Sequence, residues 1–280
     1  MYLGSFNSAT DHYDVIRELQ PEESEQHTKL QAVVTEARNR LALFKMLDRN
    51  YADWRRYLDH LLSRTFKEDV EISEELNRLL LNYLTFAYSI QKHFYVSFRQ
   101  RFKKQPAKYR EYAEFLDRLC KDSWAFAFVL DYRGYVQHVD LGIFRTNRTV
   151  SESSIAIEIV ANPKRLVSRS LREWKRSRLT AECSEINLVA VLKQFHFEMV
   201  HRYAGFVATS FFPELQLASE FYGSLTKEAQ RRHPAARMVF YSEKPQVTIG
   251  KGGKITQTTK EILVPNNVFE ELGIKITKKA

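Results

Sequence analysis

Cysteine is scarce in this chain, which has only Cys120 and Cys183 among its 280 residues. Structural zinc sites bring cysteines together at short spacings, and small secreted domains use several of them as a disulfide framework. Neither arrangement fits two cysteines so far apart. We therefore expect two reduced thiols buried in helices, and neither a metal ion nor another cofactor.

Long apolar runs and export signals are also missing. The residues Met1-Tyr2-Leu3-Gly4-Ser5-Phe6 do not form a basic region followed by an apolar block. Elsewhere, no stretch reaches the roughly 18 uncharged apolar residues of a membrane-spanning helix. The sequence predicts a cytoplasmic protein that has no membrane partner.

Basic residues outnumber acidic ones, which gives a formal net charge of +9 and a pI of about 9.4. Such a balance favours an anionic partner, with nucleic acid as the first candidate. The simpler alternative is an ordinary basic protein whose charge serves only its solubility.

Glycine and proline are rare before the last fifty residues, and apolar residues there recur at three and four positions, which predicts helices. A first helix is predicted to begin near Pro21, and a shorter one follows around 54–62. Three more are predicted, one over 72–104, one from Lys108 into the segment around Arg133, and one over about 184–203. Apolar residues alternate with a period of two over 154–160, which predicts a short strand. Asn162 and Pro163 are typical of a helix N-terminus, and the helix that they begin is predicted to extend through Trp174.

The C-terminal region has a different pattern, with strands predicted at 238–241, 246–249 and 254–258. We expect a domain boundary near Gln230, which gives a helical domain over 1–230 and a β-rich appendage over 231–280. The Gly250-Lys251-Gly252-Gly253 turn could hold a phosphate, but it lacks the P-loop pattern and a following helix. A plain hairpin turn is the other interpretation.

The hexad Arg133-Gly134-Tyr135-Val136-Gln137-His138 carries the clearest chemistry. Arginine offers a permanent positive fork for a phosphate, and histidine can move a proton near neutral pH. Spacing alone is weak support, because about two such pairs are expected by chance. A second pair with the same spacing, Arg55 and His60, lies in a segment typical of an amphipathic surface helix.

Other basic residues and histidines have simpler interpretations. A cluster of cations ends the 72–104 helix, where it suits the negative end of the helix dipole, although RNA contact is the alternative. Its members are Arg99, Arg101, Lys103 and Lys104. We expect His93, His196 and His201 to be packed among apolar residues. His196 and His201 are five apart and face different ways, so they make a poor metal pair.

The segment from Leu130 to His138 resembles the HEPN superfamily (higher eukaryotes and prokaryotes nucleotide-binding). The similarity extends over about 75–210 and includes the "IAIEIV" strand, the Asn-Pro helix and the last long helix. The resemblance implies a HEPN-like helical bundle that works as a homodimer. It also implies a metal-independent endoribonuclease, a toxin or phage-defence effector, with Arg133 and His138 as catalytic residues and an antitoxin protein as a possible partner.

One residue departs from the family pattern. The residue after the arginine is commonly asparagine or aspartate, which helps to order the site, whereas here it is Gly134. Tyr135 and Gln137 are the candidates to replace that side chain and to contact substrate. Gly134 favours an alternative function, a catalytically inactive helical module that binds nucleic acid, a nucleotide or a partner protein. A third hypothesis assigns the binding to the C-terminal hairpin.

Residues five apart on a straight helix point about 140° away from each other. Arg133 and His138 can therefore reach one phosphate in two ways. Either the helix ends between them, which Gly134, Val136 and Val139 would assist, or two protomers bring their motifs together. Cleavage would proceed by attack of a ribose 2′-hydroxyl on the adjacent phosphate, with His138 moving a proton and Arg133 stabilising the growing negative charge.

Overall fold

A computed structural model describes residues 1–7, 12–62, 70–140, 144–150, 155–170, 174–232, 237–241, 246–249, 255–258 and 261–262. The described chain is mainly helical with small antiparallel sheets, as the sequence predicts. It forms two compact units, one from residues 1–41 and 205–280 and one from 42–204. The expected boundary near Gln230 falls inside a helix of the first unit.

The first unit has an antiparallel sheet of order β2-β1-β6-β9. Its strands are β1 (Tyr2–Asn7), β2 (His12–Glu18), β6 (Arg237–Tyr241) and β9 (Glu261–Ile262). Helix α8 (Glu214–Arg232) packs against β1 and β6. The sequence predicted β6 but not the N-terminal hairpin of β1 and β2, which completes the sheet.

Gly4 lies where the first sheet is most crowded. A Cβ placed on it would lie 2.7 Å from the carbonyl oxygen of Asp14 and would also clash with the ring of Tyr241. Both Gly4 and Tyr241 are buried. Glycine is therefore required here for close packing between strands.

Helix α1 (Pro21–Leu62) contributes residues 21–41 to the first unit and 42–62 to the second. It begins at Pro21 as predicted, and its first turn carries Glu22 and Glu23 at the positive end of the helix dipole. The two helices predicted for this region are one continuous helix.

The second unit is built from helices with one small sheet. Its helices are α2 (Val70–Arg101), α3 (Pro106–Asp122), α4 (Trp124–His138), α5 (Pro163–Arg169) and α6 (Leu188–Phe197), followed by a π-helical segment (Glu198–Tyr203). Helix α7 (Ala204–Phe211) begins at the last residue of this unit, and its other residues belong to the first unit. The sheet has the order β3-β4-β5, with β3 (Phe144–Val150), β4 (Ile155–Ala161) and β5 (Ile186–Asn187). Helix α4 contacts α2, α3 and α6 and is the central helix of this unit.

Several predicted boundaries shift for local reasons. The helix predicted from Lys108 divides at Ser123, whose side-chain oxygen accepts a hydrogen bond from the Phe126 N–H at 3.3 Å and so caps α4. The helix that begins at Pro163 ends at Arg169 and does not reach Trp174. The helix expected from about 184 begins at Leu188, where Asn187 is the N-cap.

The C-terminal strands β7 (Gln246–Ile249) and β8 (Ile255–Thr258) pair with each other in antiparallel register. The turn predicted at 250–253 lies outside the described residues. Among the helices of the described ranges, none combines the length and apolar character needed to cross a bilayer.

The two cysteines are both free, but only one fits the prediction of a buried thiol. Cys120 is half-buried on α3, and burial raises the pKa of its thiol to about 11. Cys183 is exposed in a turn, so its predicted place in a helical core is wrong. The sequence preceding α6 folds as a turn and a short strand, which keeps Cys183 at the surface.

Candidate functional site

Arg133 and His138 lie on the C-terminal half of α4, a helix that is buried on most of its surface. The large side chains that hold it in place include Phe126, Phe128 and Tyr132, all fully buried. A helix fixed by this much packing presents its few exposed positions in defined directions. The exposed positions include Gln137 and His138, and Arg133 is half-buried.

The guanidinium of Arg133 stacks on a tyrosine of the neighbouring helix. Its central carbon lies 3.5 Å from the centroid of the Tyr88 ring on α2, a cation–π contact at close range. The Arg133 Nε is buried, and no described residue accepts a hydrogen bond from it. This contact restricts where the guanidinium can lie, and a guanidinium held in one place suits the recognition of a phosphate.

The two carboxylates that flank Arg133 in sequence are bound to other arginines. Asp131 Oδ1 lies 3.1 Å from Arg176 Nη1, and Asp140 Oδ2 lies 2.8 Å from Arg169 Nη1. Within the described ranges, Arg133 forms no ion pair. The positive charge of Arg133 is therefore not neutralised by the acidic residues that the sequence places beside it.

His138 is the last residue of α4 and is exposed to solvent. In the part of the chain that the structure describes, its imidazole takes part in no hydrogen bond or ion pair. Both ring nitrogens are therefore accessible to an incoming group, as proton transfer to a substrate requires.

Helix α4 does not end between Arg133 and His138. It continues through Gly134 to His138, and the N–H of Val139 still donates to the carbonyl oxygen of Tyr135 at 2.8 Å. Of the two arrangements that the sequence left open, an end to the helix between these residues does not occur, since a single glycine in a packed helix costs only about 1 kcal/mol. On this regular helix, the two side chains point about 140° apart.

Gln137 and Tyr135, the two predicted substrate contacts, have different surroundings. Gln137 is exposed one turn after Arg133, and its Nε2 lies 3.5 Å from Thr85 Oγ1 on α2. Tyr135 is fully buried, and its ring packs 5.4 Å from that of Trp174. Burial raises the pKa of its phenol. Tyr135 is therefore a packing residue in this structure, and its contact with substrate stays a prediction.

The second Arg-x4-His pair has a different environment. Arg55 and His60 are exposed on α1, and His60 lines an open cavity of about 350 Å³. The two arginines in that cavity, Arg56 and Arg78, are each paired with a carboxylate three residues earlier on the same helix. Its arginines are therefore neutralised locally, unlike Arg133.

The predicted burial of three histidines holds only for His196, because His93 and His201 are exposed. His196 Nε2 lies 2.9 Å from Asp48 Oδ1, and its Nδ1 lies 3.1 Å from the Tyr83 hydroxyl. Burial lowers the pKa of His196, whereas Asp48 opposes that shift. Sequence reasoning missed this cluster because its members lie far apart along the chain.

The described residues contain no group of three histidine, cysteine, aspartate or glutamate side chains placed to hold a metal ion. No protein-family model, curated protein or solved structure shows significant similarity to the chain.

Proposed function

We propose that this chain is a metal-independent endoribonuclease of HEPN type whose active site forms between two protomers. The observation that carries the proposal is the position of the Arg133 guanidinium, whose central carbon lies 3.5 Å from the Tyr88 ring centroid and which has no carboxylate partner in the described chain. A fixed cation and a solvent-exposed histidine that face the same phosphate are the two groups needed to cleave a phosphodiester without a metal.

The second protomer is needed because Arg133 and His138 diverge on one straight helix. When two α4 helices meet near their C-terminal ends, Arg133 of one protomer and His138 of the other can face the same phosphate. In this arrangement, a 2′-hydroxyl attacks the adjacent phosphorus, the 5′-oxygen leaves, and a cyclic phosphate forms. His138 moves a proton, and Arg133 stabilises the negative charge that develops on the phosphate oxygens.

RNA cleavage by purified variants tests the proposal. His138→Ala is expected to lose at least about 100-fold of the cleavage rate, because positioned acid-base catalysis contributes about 100-fold to 10,000-fold. Arg55→Ala and His60→Ala are matched controls, since they alter a pair of identical spacing on α1. Equal rates for the wild type and His138→Ala would overturn the assignment.

A growth assay extends the test to the cell. If the protein is a toxin or phage-defence effector, overproduction of the wild type should arrest growth, and Arg133→Ala should not. An adjacent reading frame whose product restores growth would support an antitoxin partner.

A second candidate function is a catalytically inactive helical module that binds nucleic acid, a nucleotide or a partner protein. Gly134 favours it, because a glycine offers no side chain to order Arg133 or a substrate. This candidate predicts binding without cleavage, and it predicts that His138→Ala binds as the wild type does. The cleavage assay separates the two functions directly.

A further inference from the structure

A ladder of alternating cations and aromatic rings lies on one face of α2. Its members on α2 are Tyr88, Lys92, Tyr95 and Arg99. At 100° per residue, these four positions fall within an arc of about 60° and extend over about 16 Å of helix. Tyr109 on α3 adds a third ring to the ladder. The three tyrosines are half-buried, whereas Lys92 and Arg99 are exposed.

The rings and cations of this ladder contact one another. The Lys92 Nζ lies 5.5 Å from the Tyr88 ring centroid and 5.6 Å from that of Tyr95. The Tyr95 ring meets the Tyr109 ring nearly edge-on at 5.9 Å. The hydrogen bond between the Tyr109 and Tyr95 hydroxyls is the main cause of the raised pKa of Tyr109. At the other end, Tyr88 carries the Arg133 guanidinium.

The charge around the ladder has one sign. Residues 76–110 contain eight lysines and arginines and no aspartate or glutamate, although the chain has 34 acidic residues in all. The acidic residues that border this stretch, Glu75 and Glu111, are paired with Arg78 and Lys108. The stretch of chain that carries the ladder therefore has no negative side chain between Glu75 and Glu111.

The helix dipole accounts for Arg99, which lies in the last turn of α2, but not for Lys92. Cations stabilise the carboxyl end of a helix only within its last turn. Lys92 lies nine residues before Arg101, where α2 ends, and so it is outside that range. Helix stability does not explain the half-exposed tyrosines either, because tyrosine has a lower helix propensity than alanine or leucine.

From this placement we infer that the ladder binds single-stranded nucleic acid, with bases stacked on the rings of Tyr95 and Tyr109 and phosphates held by Lys92 and Arg99. Single-strand-binding surfaces combine these two elements, a positive track and aromatic rings that accept any base. A duplex keeps its bases stacked inside and cannot use the rings. The inference goes beyond RNA cleavage, because such binding does not require Arg133 or His138 to act.

Fluorescence anisotropy with labelled 12-mers tests the inference on the full chain. An oligothymidylate probe has no 2′-hydroxyl, so the wild type cannot cut it by the proposed mechanism. An oligouridylate probe is used with His138→Ala. We expect both single strands to bind more tightly than a duplex of equal length. Tyr95→Ala should weaken binding by roughly 5-fold to 100-fold, whereas Tyr95→Phe should retain most of it.

A charge reversal provides a variant that cannot disturb the core. Lys92→Glu alters an exposed residue, and the exposed Arg55→Glu on α1 changes the net charge by the same amount. Lys92→Glu should reduce affinity and lower the salt dependence by at least about 0.7 in slope, with a smaller effect from Arg55→Glu. Equal losses from the two reversals, or duplex binding as tight as single-strand binding with no effect of Tyr95→Ala, would overturn the inference. Loss of cleavage alone leaves these readouts unchanged.

Discussion

Replacing Asp131 with alanine should destabilise the second unit strongly, because this buried carboxylate organises the segment that covers α4. Its side chain is fully buried. One oxygen accepts hydrogen bonds from the backbone N–H groups of Arg176 and Ser177, both at 2.8 Å, and from the Ser177 hydroxyl at 2.9 Å. Next to this turn, Arg178 has a φ of 53°, a left-handed conformation that is unfavourable for a residue with a side chain.

The loss of stability expected for Asp131→Ala comes mainly from the backbone N–H groups of Arg176 and Ser177. Asp131→Ala leaves two backbone donors without their acceptor, at about 1–3 kcal/mol each. The ion pair with Arg176 adds little, because that side chain is 56% exposed and water competes for it. We therefore expect a loss of about 3 kcal/mol in the free energy of unfolding.

Urea unfolding followed by tryptophan fluorescence measures this loss. All three tryptophans, at positions 54, 124 and 174, belong to the second unit and report on it alone. Arg176→Ala is the control, since it removes the ion pair but keeps both backbone hydrogen bonds, and it should cost less than about 1 kcal/mol. If Arg176→Ala destabilises as much as Asp131→Ala, the reasoning from the N–H groups is refuted.

Two further predictions concern the first unit. His27 is fully buried, and burial lowers its pKa to about 4. In the unfolded chain the pKa of histidine is about 6.5, so the unfolded chain binds the proton more readily than the folded one. The free energy of unfolding should therefore fall by roughly 2–3 kcal/mol between pH 6.5 and 4, and His27→Leu should remove this part of the pH dependence measured by circular dichroism. Gly4→Ala should lower that free energy by about 1–3 kcal/mol, because the new methyl group clashes with Tyr241. A Gly4→Ala variant as stable as the wild type in the same urea titration would contradict the close packing.

The helices were predictable from the sequence because their apolar spacing is set locally. The prediction of α2 over 72–104 agrees with Val70–Arg101, and the period-two strand at 154–160 agrees with Ile155–Ala161. Its partner β3 was missed, because 144–150 has few apolar residues and is a strand through its pairing with β4. Pairing partners are a property of the tertiary structure and leave only weak local signals.

The surroundings of Arg133 and His138 on α4 also needed the structure. The sequence placed both residues at the end of a helical run, and α4 does end at His138. The contact between Arg133 and Tyr88 joins residues 45 positions apart, and no local pattern indicates it. The burial of Tyr135 was missed for the same reason, because Trp174 arrives from a distant segment.

A truncation after Gln230, which would remove the C-terminal strands, is a poor test of what the hairpin does. It deletes β6, which lies between β1 and β9 in the sheet of the first unit. Loss of binding in that variant would report on the integrity of this sheet. Point substitutions on exposed helical residues, such as Lys92→Glu, separate binding from folding more cleanly.

Mixing two inactive variants tests most directly whether one arginine and one histidine from different protomers act on the same phosphate. Arg133→Ala and His138→Ala are each expected to be inactive alone on RNA. Together they can form a mixed dimer that contains one intact pair, with the arginine from one subunit and the histidine from the other. We expect the mixture to regain a substantial part of the wild-type cleavage rate. A mixture that exchanges subunits, as shown by pull-down of differently tagged chains, and yet stays as inactive as its components would contradict a site shared between protomers.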